Sequence, residues 1–112
     1  MTGKEDLVNY IIDMLQDLGS IYVKYMFSDW GFYLDGLFFA ILDDDKLFVK
    51  ADDQSRSIFE KNNLEQFSYM RKGKVCYLSY YKIPDEAIDD IDSLKYWAQI
   101  GYQAALRANE KS

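Results

Sequence analysis

The stretch WGFYLDGLFFAILDDDKLFVKA, Trp30 to Ala51, constrains the fold more than any other part of the chain. Asp35-Gly36 separates two apolar runs, and both residue types tolerate the positive φ that a two-residue type I′ turn requires, so the pair predicts a β-hairpin. Asp43-Asp44-Asp45 predicts a second tight turn, which makes three short strands in a β-meander. The middle strand, Leu37 to Leu42, is apolar at Leu37, Phe39 and Ile41 and equally at Phe38, Ala40 and Leu42, where a half-exposed strand would alternate with polar residues. Both faces of that strand therefore need cover.

The flanking segments supply the other elements. Lys4 to Leu18 sets Leu7, Ile11, Met14, Leu15 and Leu18 at helical offsets, with Glu5 and Asp6 in the first turn where the helix dipole favours acids, and Gly19 as the residue that ends the helix. Ile21 to Phe27 is rich in β-branched and aromatic residues and reads as an extended lead-in or short strand, followed by a turn over Ser28-Asp29-Trp30-Gly31. Lys46 to Ala51 alternates, Leu47, Val49 and Ala51 against Lys46, Phe48 and Lys50, which predicts a strand near an edge with one wet face. Asp52-Asp53-Gln54-Ser55 offers caps for a short helix over Ser57 to Asn62. Phe67 to Met70 and Val75 to Tyr81 predict a second hairpin around Arg71-Lys72-Gly73-Lys74. Pro84 stops the strand pattern and Asp85-Glu86 starts a helical turn. Asp92 or Ser93 would cap a final helix whose stripe is Leu94, Trp97, Ala98, Gly101, Ala105 and Ala108. The small residues in that stripe would let the helix axis lie close to a neighbouring layer. The order is α-β-β-β-α-β-β-α, an α+β domain with an antiparallel sheet of about five strands.

At 112 residues the chain is long enough for one self-sufficient core and no more. A net charge of −6 repels phosphate backbones and argues against direct nucleic-acid binding. The single cysteine, Cys76, excludes an internal disulfide and suits a reducing compartment, and no signal-like segment follows Met1, so a cytoplasmic protein is expected. The longest apolar run is about six residues against about 20 for a membrane span.

The absence of histidine removes the commonest general base and metal ligand, and the six glycines are isolated, so no glycine-rich phosphate loop occurs. Asp43 to Asp45 and Asp52-Asp53 do not have the spacing of a calcium loop. Cys76 reads as a small packing residue, because no histidine is present to activate it. No catalytic, cofactor-binding or metal-ligating set is expected. Arg71, Lys72 and Lys74 beside Tyr69, Tyr77, Tyr80 and Tyr81 have the basic and aromatic mixture of a single-strand grip, an alternative that opposes the overall charge. A tyrosine-lined small-ligand pocket is a further alternative, with Tyr80, Tyr81, Asp35 or Glu86 as its acid or base groups. The chain has ten Tyr, seven Phe and two Trp, more than one small core usually needs. If helices cover one face of the sheet only, Trp30, Phe32, Tyr33, Phe38 and Phe39 are the candidates for a subunit or partner interface. Helices on opposite faces would instead bury them.

With the elements placed, the chain resembles the N-terminal domain of the TfoX/Sxy competence regulators. The matching residues are Met26-Phe27, Trp30-Gly31-Phe32-Tyr33-Leu34-Asp35-Gly36, Phe39-Ala40, Leu47 to Asp52 and Phe59. They continue with Leu64, Phe67, Tyr69, Gly73, Ser79-Tyr80-Tyr81 and Pro84-Asp85-Glu86, so that the resemblance spans roughly residues 5 to 108. Ser28 and Asp29 stand where that family usually has glycines. The resemblance implies a two-layer α/β sandwich like that of secretion chaperones. It also implies a non-enzymatic regulatory role, exercised on transcription through another transcription factor. A homodimer is expected, with no cofactor and no membrane association.

Overall fold

The computed structural model describes residues 3–26 and 28–110. Helix α1 (Gly3–Leu15) runs into a 3-10 turn (Gln16–Leu18), followed by β1 (Ile21–Met26), β2 (Asp29–Leu34), β3 (Leu37–Asp43) and β4 (Lys46–Lys50). Then come α2 (Arg56–Lys61), β5 (Gln66–Arg71), β6 (Lys74–Lys82), a second 3-10 turn (Asp85–Asp89) and α3 (Ile91–Glu110). The strands form one antiparallel sheet in the order β1-β2-β3-β4-β6-β5. The fold is α+β as expected, with six strands rather than five because Ile21–Met26 pairs fully along β2.

Local chemistry explains the hairpins. Asp35 and Gly36 take φ of 48° and 87°, and Asp44 and Asp45 take 49° and 65°, the left-handed pairs that match the right-handed twist of adjoining strands. The turn expected over Ser28 to Gly31 is tighter than that, because Asp29, Trp30 and Gly31 already pair with Met26, Tyr25 and Lys24. Ser28 has φ 72° and so takes the backbone conformation that a glycine would adopt without a Cβ penalty. Phe27 lies outside the described residues.

The two-sided apolar pattern of β3 has a specific cause. Phe32 faces Ala40 and Tyr33 faces Phe38, so Phe39 is an extra residue in the ladder, a β-bulge. The bulge turns Phe39 and Ala40 to the same side, with Leu37 and Leu42, and leaves Phe38 and Ile41 on the other. Residues of α1, α2 and α3 (Val8, Ile11, Leu15, Phe59, Leu94, Trp97, Ala98, Ala105) share one core with Phe32, Leu34, Phe39, Leu42, Leu47 and Val49. All three helices therefore cover the same face, and the opposite-face arrangement does not occur.

β4 is not near an edge: it lies between β3 and β6, and Phe48 on its supposedly wet side is buried. The periodicity of a strand reports which residues share a face, whereas its place in the sheet depends on which distant strand pairs with it. Gly101 brings α3 against the sheet, since a Cβ there would lie 2.8 Å from Val49 Cβ and 3.1 Å from the Phe39 carbonyl oxygen. Ala108, expected in the buried stripe, is exposed, and Ala104 is buried instead. The α3 cap is Asp90 rather than Asp92 or Ser93: its carboxylate accepts the Asp92 N–H at 3.2 Å and the Ser93 hydroxyl at 3.0 Å, and its carbonyl accepts the Leu94 N–H at 2.8 Å.

Three long-range polar contacts tie the helices down. The Tyr10 hydroxyl donates to the Ile88 carbonyl at 2.7 Å, Lys95 pairs with Asp17 at 3.0 Å, and Arg107 grips Asp52 with two hydrogen bonds of 2.6 and 2.9 Å. The Asp52 carboxylate also accepts the Gln54 and Ser55 N–H groups just before α2. The Arg107 hydrogen bonds are the main reason that the Asp52 carboxyl is lowered from 3.8 to about 2, against a smaller opposing effect of burial.

Candidate interaction surfaces

The sheet face opposite the helices carries a continuous aromatic row. Tyr22 on β1 contacts Tyr33 on β2 (ring centroids 5.6 Å apart), Tyr33 contacts Phe38 on β3 (5.2 Å), and Phe38 reaches past the end of β4 to Tyr80 on β6 (5.6 Å). Lys50 places its ammonium 5.3 Å from the Tyr80 ring centroid. Beside this row Ile41, Phe48, Phe67 and Tyr80 form a second, smaller core, with Phe48 and Phe67 edge to face at 5.1 Å. The free face thus shields much of itself. Burial pushes the Tyr80 hydroxyl above its ordinary value, so it stays protonated.

The five residues expected at an interface divide between the two faces. Phe32 and Phe39 are fully buried beneath the helices and offer nothing to a partner. Trp30 packs partly buried against that same core and contacts Tyr25, which is exposed, at 4.7 Å. Tyr33 and Phe38 do lie on the free face, half-buried, with Tyr22 exposed at its edge. Ordinary strand alternation separates Phe38 from Phe39, while the bulge keeps Ala40 on the core side with Phe39, and no pattern of apolar residues in β3 announces it.

The β5–β6 hairpin is a different surface. From Ser68 to Leu78 every residue is exposed except the half-buried Cys76, and Met70 and Tyr77 are each 64% exposed. Tyr69, Val75 and Leu78 are exposed beside them. Lys72 and Gly73 close this ribbon at φ 50° and 78°, and Arg71, Lys72 and Lys74 sit together at its tip. The three basic residues do cluster, and beside Tyr69 and Tyr77 stand exposed Met70, Val75 and Leu78, residues whose alternation along a strand ordinarily signals packing. Cys76 lies on this ribbon opposite Tyr69 and is only half-buried, not sealed in a core.

No enzymatic constellation assembles among the described residues. Tyr80 and Tyr81 belong to opposite faces of the sheet, Asp35 accepts the Ser20 N–H at 2.9 Å, and Glu86 is exposed in a 3-10 turn. A broad open cleft between α2 and α3, lined by Ile58, Tyr96, Gln99, Tyr102, Gln103 and Arg107, includes none of them. Among the described residues no group of three or more potential metal-ligating side chains converges, and every buried side-chain polar atom has a partner. No helix among these residues is long and apolar enough to cross a membrane.

No curated protein matches the chain. Residues 13–105 match the TfoX N-terminal domain, and that span holds the whole sheet, all of α2 and most of α3. On that match over most of its length, the chain belongs to the TfoX N-terminal domain family.

Proposed function

We propose that this chain is a non-enzymatic, homodimeric interaction module that regulates transcription by binding a protein partner. Its family is of a regulatory kind and is not a known enzyme family. The observation that carries the reading is the free sheet face, where Tyr22, Tyr33 and Phe38 form a row of rings with no helix over it. Aromatic side chains at the centre of a patch, with polar ends still wet, are the kind of anchors that dominate protein interfaces. Competence regulation is the role that the family suggests.

The test is a pull-down from the native host with the wild-type chain and with Phe38→Asp, which leaves the helix-side core intact. A transcription factor recovered by the first and lost by the second is the expected result. Recovery of no regulator by the wild type would sink the regulatory reading. Direct nucleic-acid binding at Arg71, Lys72 and Lys74 is the alternative that their clustering favours. A salt titration with single- and double-stranded DNA separates the two, because only that alternative predicts affinity falling steeply with salt.

A further inference from the structure

We infer that a second copy of this chain docks on the free edge of β5, antiparallel and strand to strand, with Ser68 on the two-fold axis. This rests on the homodimeric part of the reading above and says where that dimer forms. β5 ends the sheet, so one side of its backbone has no strand beside it. Which groups point outward follows from the register. The two-residue turn at Lys72-Gly73 makes Arg71 and Lys74 a pair that exchange hydrogen bonds, and the Lys82 N–H donates to the Glu65 carbonyl at 2.8 Å, so Glu65 also faces β6. The alternate residues Gln66, Ser68 and Met70 then turn their N–H and C=O groups away from β6. They form an open template of the kind that sheet edges use for pairing.

The segment Glu65-Gln66-Phe67-Ser68-Tyr69-Met70-Arg71 is complementary to itself when reversed. With Ser68 opposite Ser68, Tyr69 faces the second copy's Phe67 and Arg71 faces its Glu65, each pair twice by symmetry. Moving the axis one residue sets Arg71 against Asn63 or Phe67, and moving it two sets Arg71 against Lys61 or Tyr69. Only the Ser68 axis gives it an acid. Glu65, Phe67, Tyr69 and Arg71 share one face by strand alternation, and Phe67 places that face with the free aromatic side of the sheet. Glu65 is exposed and makes only a 3.6 Å ion pair with exposed Lys46 in the single chain. The other edge of the sheet lacks these features. The only charge in β1, Ile21–Met26, is Lys24, which finds no acid in any self-pairing of that strand and serves as a guard. Pairing at β5 also brings Tyr69 and Met70, exposed in the single chain, against the second copy.

The experiment starts with sedimentation of the wild type over about 1 to 100 μM, the range in which an interface of this modest size associates. In a Cys76→Ser background, Ser68→Cys should form disulfide-linked dimers roughly tenfold faster than Val75→Cys, because residues directly opposite in an antiparallel pair are within disulfide reach. Met70→Pro removes an outward N–H without touching the β5–β6 ladder and should weaken self-association by on the order of tenfold. Glu65→Arg should also weaken it, and Glu65→Arg with Arg71→Glu should restore it. A dimer that survives Met70→Pro and does not cross-link at position 68 overturns the edge and leaves the homodimer standing. A wild type that is monomeric throughout overturns both.

Discussion

Two hairpins in this molecule are closed by the same left-handed turn and meet opposite fates. β2–β3 turns at Asp35-Gly36 and places Phe32, Leu34, Phe39 and Leu42 in the core, while β5–β6 turns at Lys72-Gly73 and carries Tyr69, Met70, Val75 and Tyr77 in the open. Turn chemistry decides that two strands pair. It does not decide what packs on them. Residues of all three helices join the core of the first hairpin, whereas the second extends past the helix layer as a two-stranded ribbon. Apolar side chains that serve stability in one hairpin are available for association in the other.

Substitutions at equivalent aromatic positions give the sharpest contrast. Phe39→Ala should cost about 3–5 kcal/mol in a denaturant melt, because it empties a fully buried site at the bulge. A loss below about 1 kcal/mol there would break the contrast between the hairpins. Gly101→Ala tests the close approach of α3 and should destabilise by about 1–3 kcal/mol despite the better helix propensity of alanine, since the new methyl meets Val49 Cβ and backbone atoms that do not yield easily.

The Arg107–Asp52 clamp comes next. The folded pKa of Asp52 is depressed, so its contribution is complete above the ordinary value of 3.8 and fades as pH falls toward about 2. Arg107→Gln should lose about 1–2 kcal/mol near neutral pH, allowing for partial exposure of the pair, and its stability should approach that of the wild type across that acid window. Parallel melts at several pH values check the sign. Tyr77→Ser should be the mildest, changing stability of the single chain by less than about 0.5 kcal/mol because its ring is mostly in water.

Much of the architecture was legible in residue order. The Asp-Gly and Asp-Asp turns, the helix-ending Gly19, the short helix after Asp52 and the small-residue stripe around Gly101 all carry local signals, and each appears near its expected place. The candidate surface was legible only in part. Tyr33 and Phe38 are on the free face, but Phe32 and Phe39 belong to the core, because neighbouring strand residues point to opposite faces and only the helix layer decides which face is covered. The clamp between Asp52 and Arg107 joins residues 55 positions apart and has no local signature at all.

The sequence by itself determined the hairpins, the helix faces and the family, since these depend on contacts within a few residues or on an ordered set of residues along the chain. Only the tertiary structure decided which aromatics of Trp30 to Ala51 are hidden, that β4 is interior, and that β5 ends the sheet with its polar backbone facing outward. The physical reason is common to all three. A strand's side chains alternate whatever surrounds it, but its burial and its neighbours depend on segments that the chain brings in from far away.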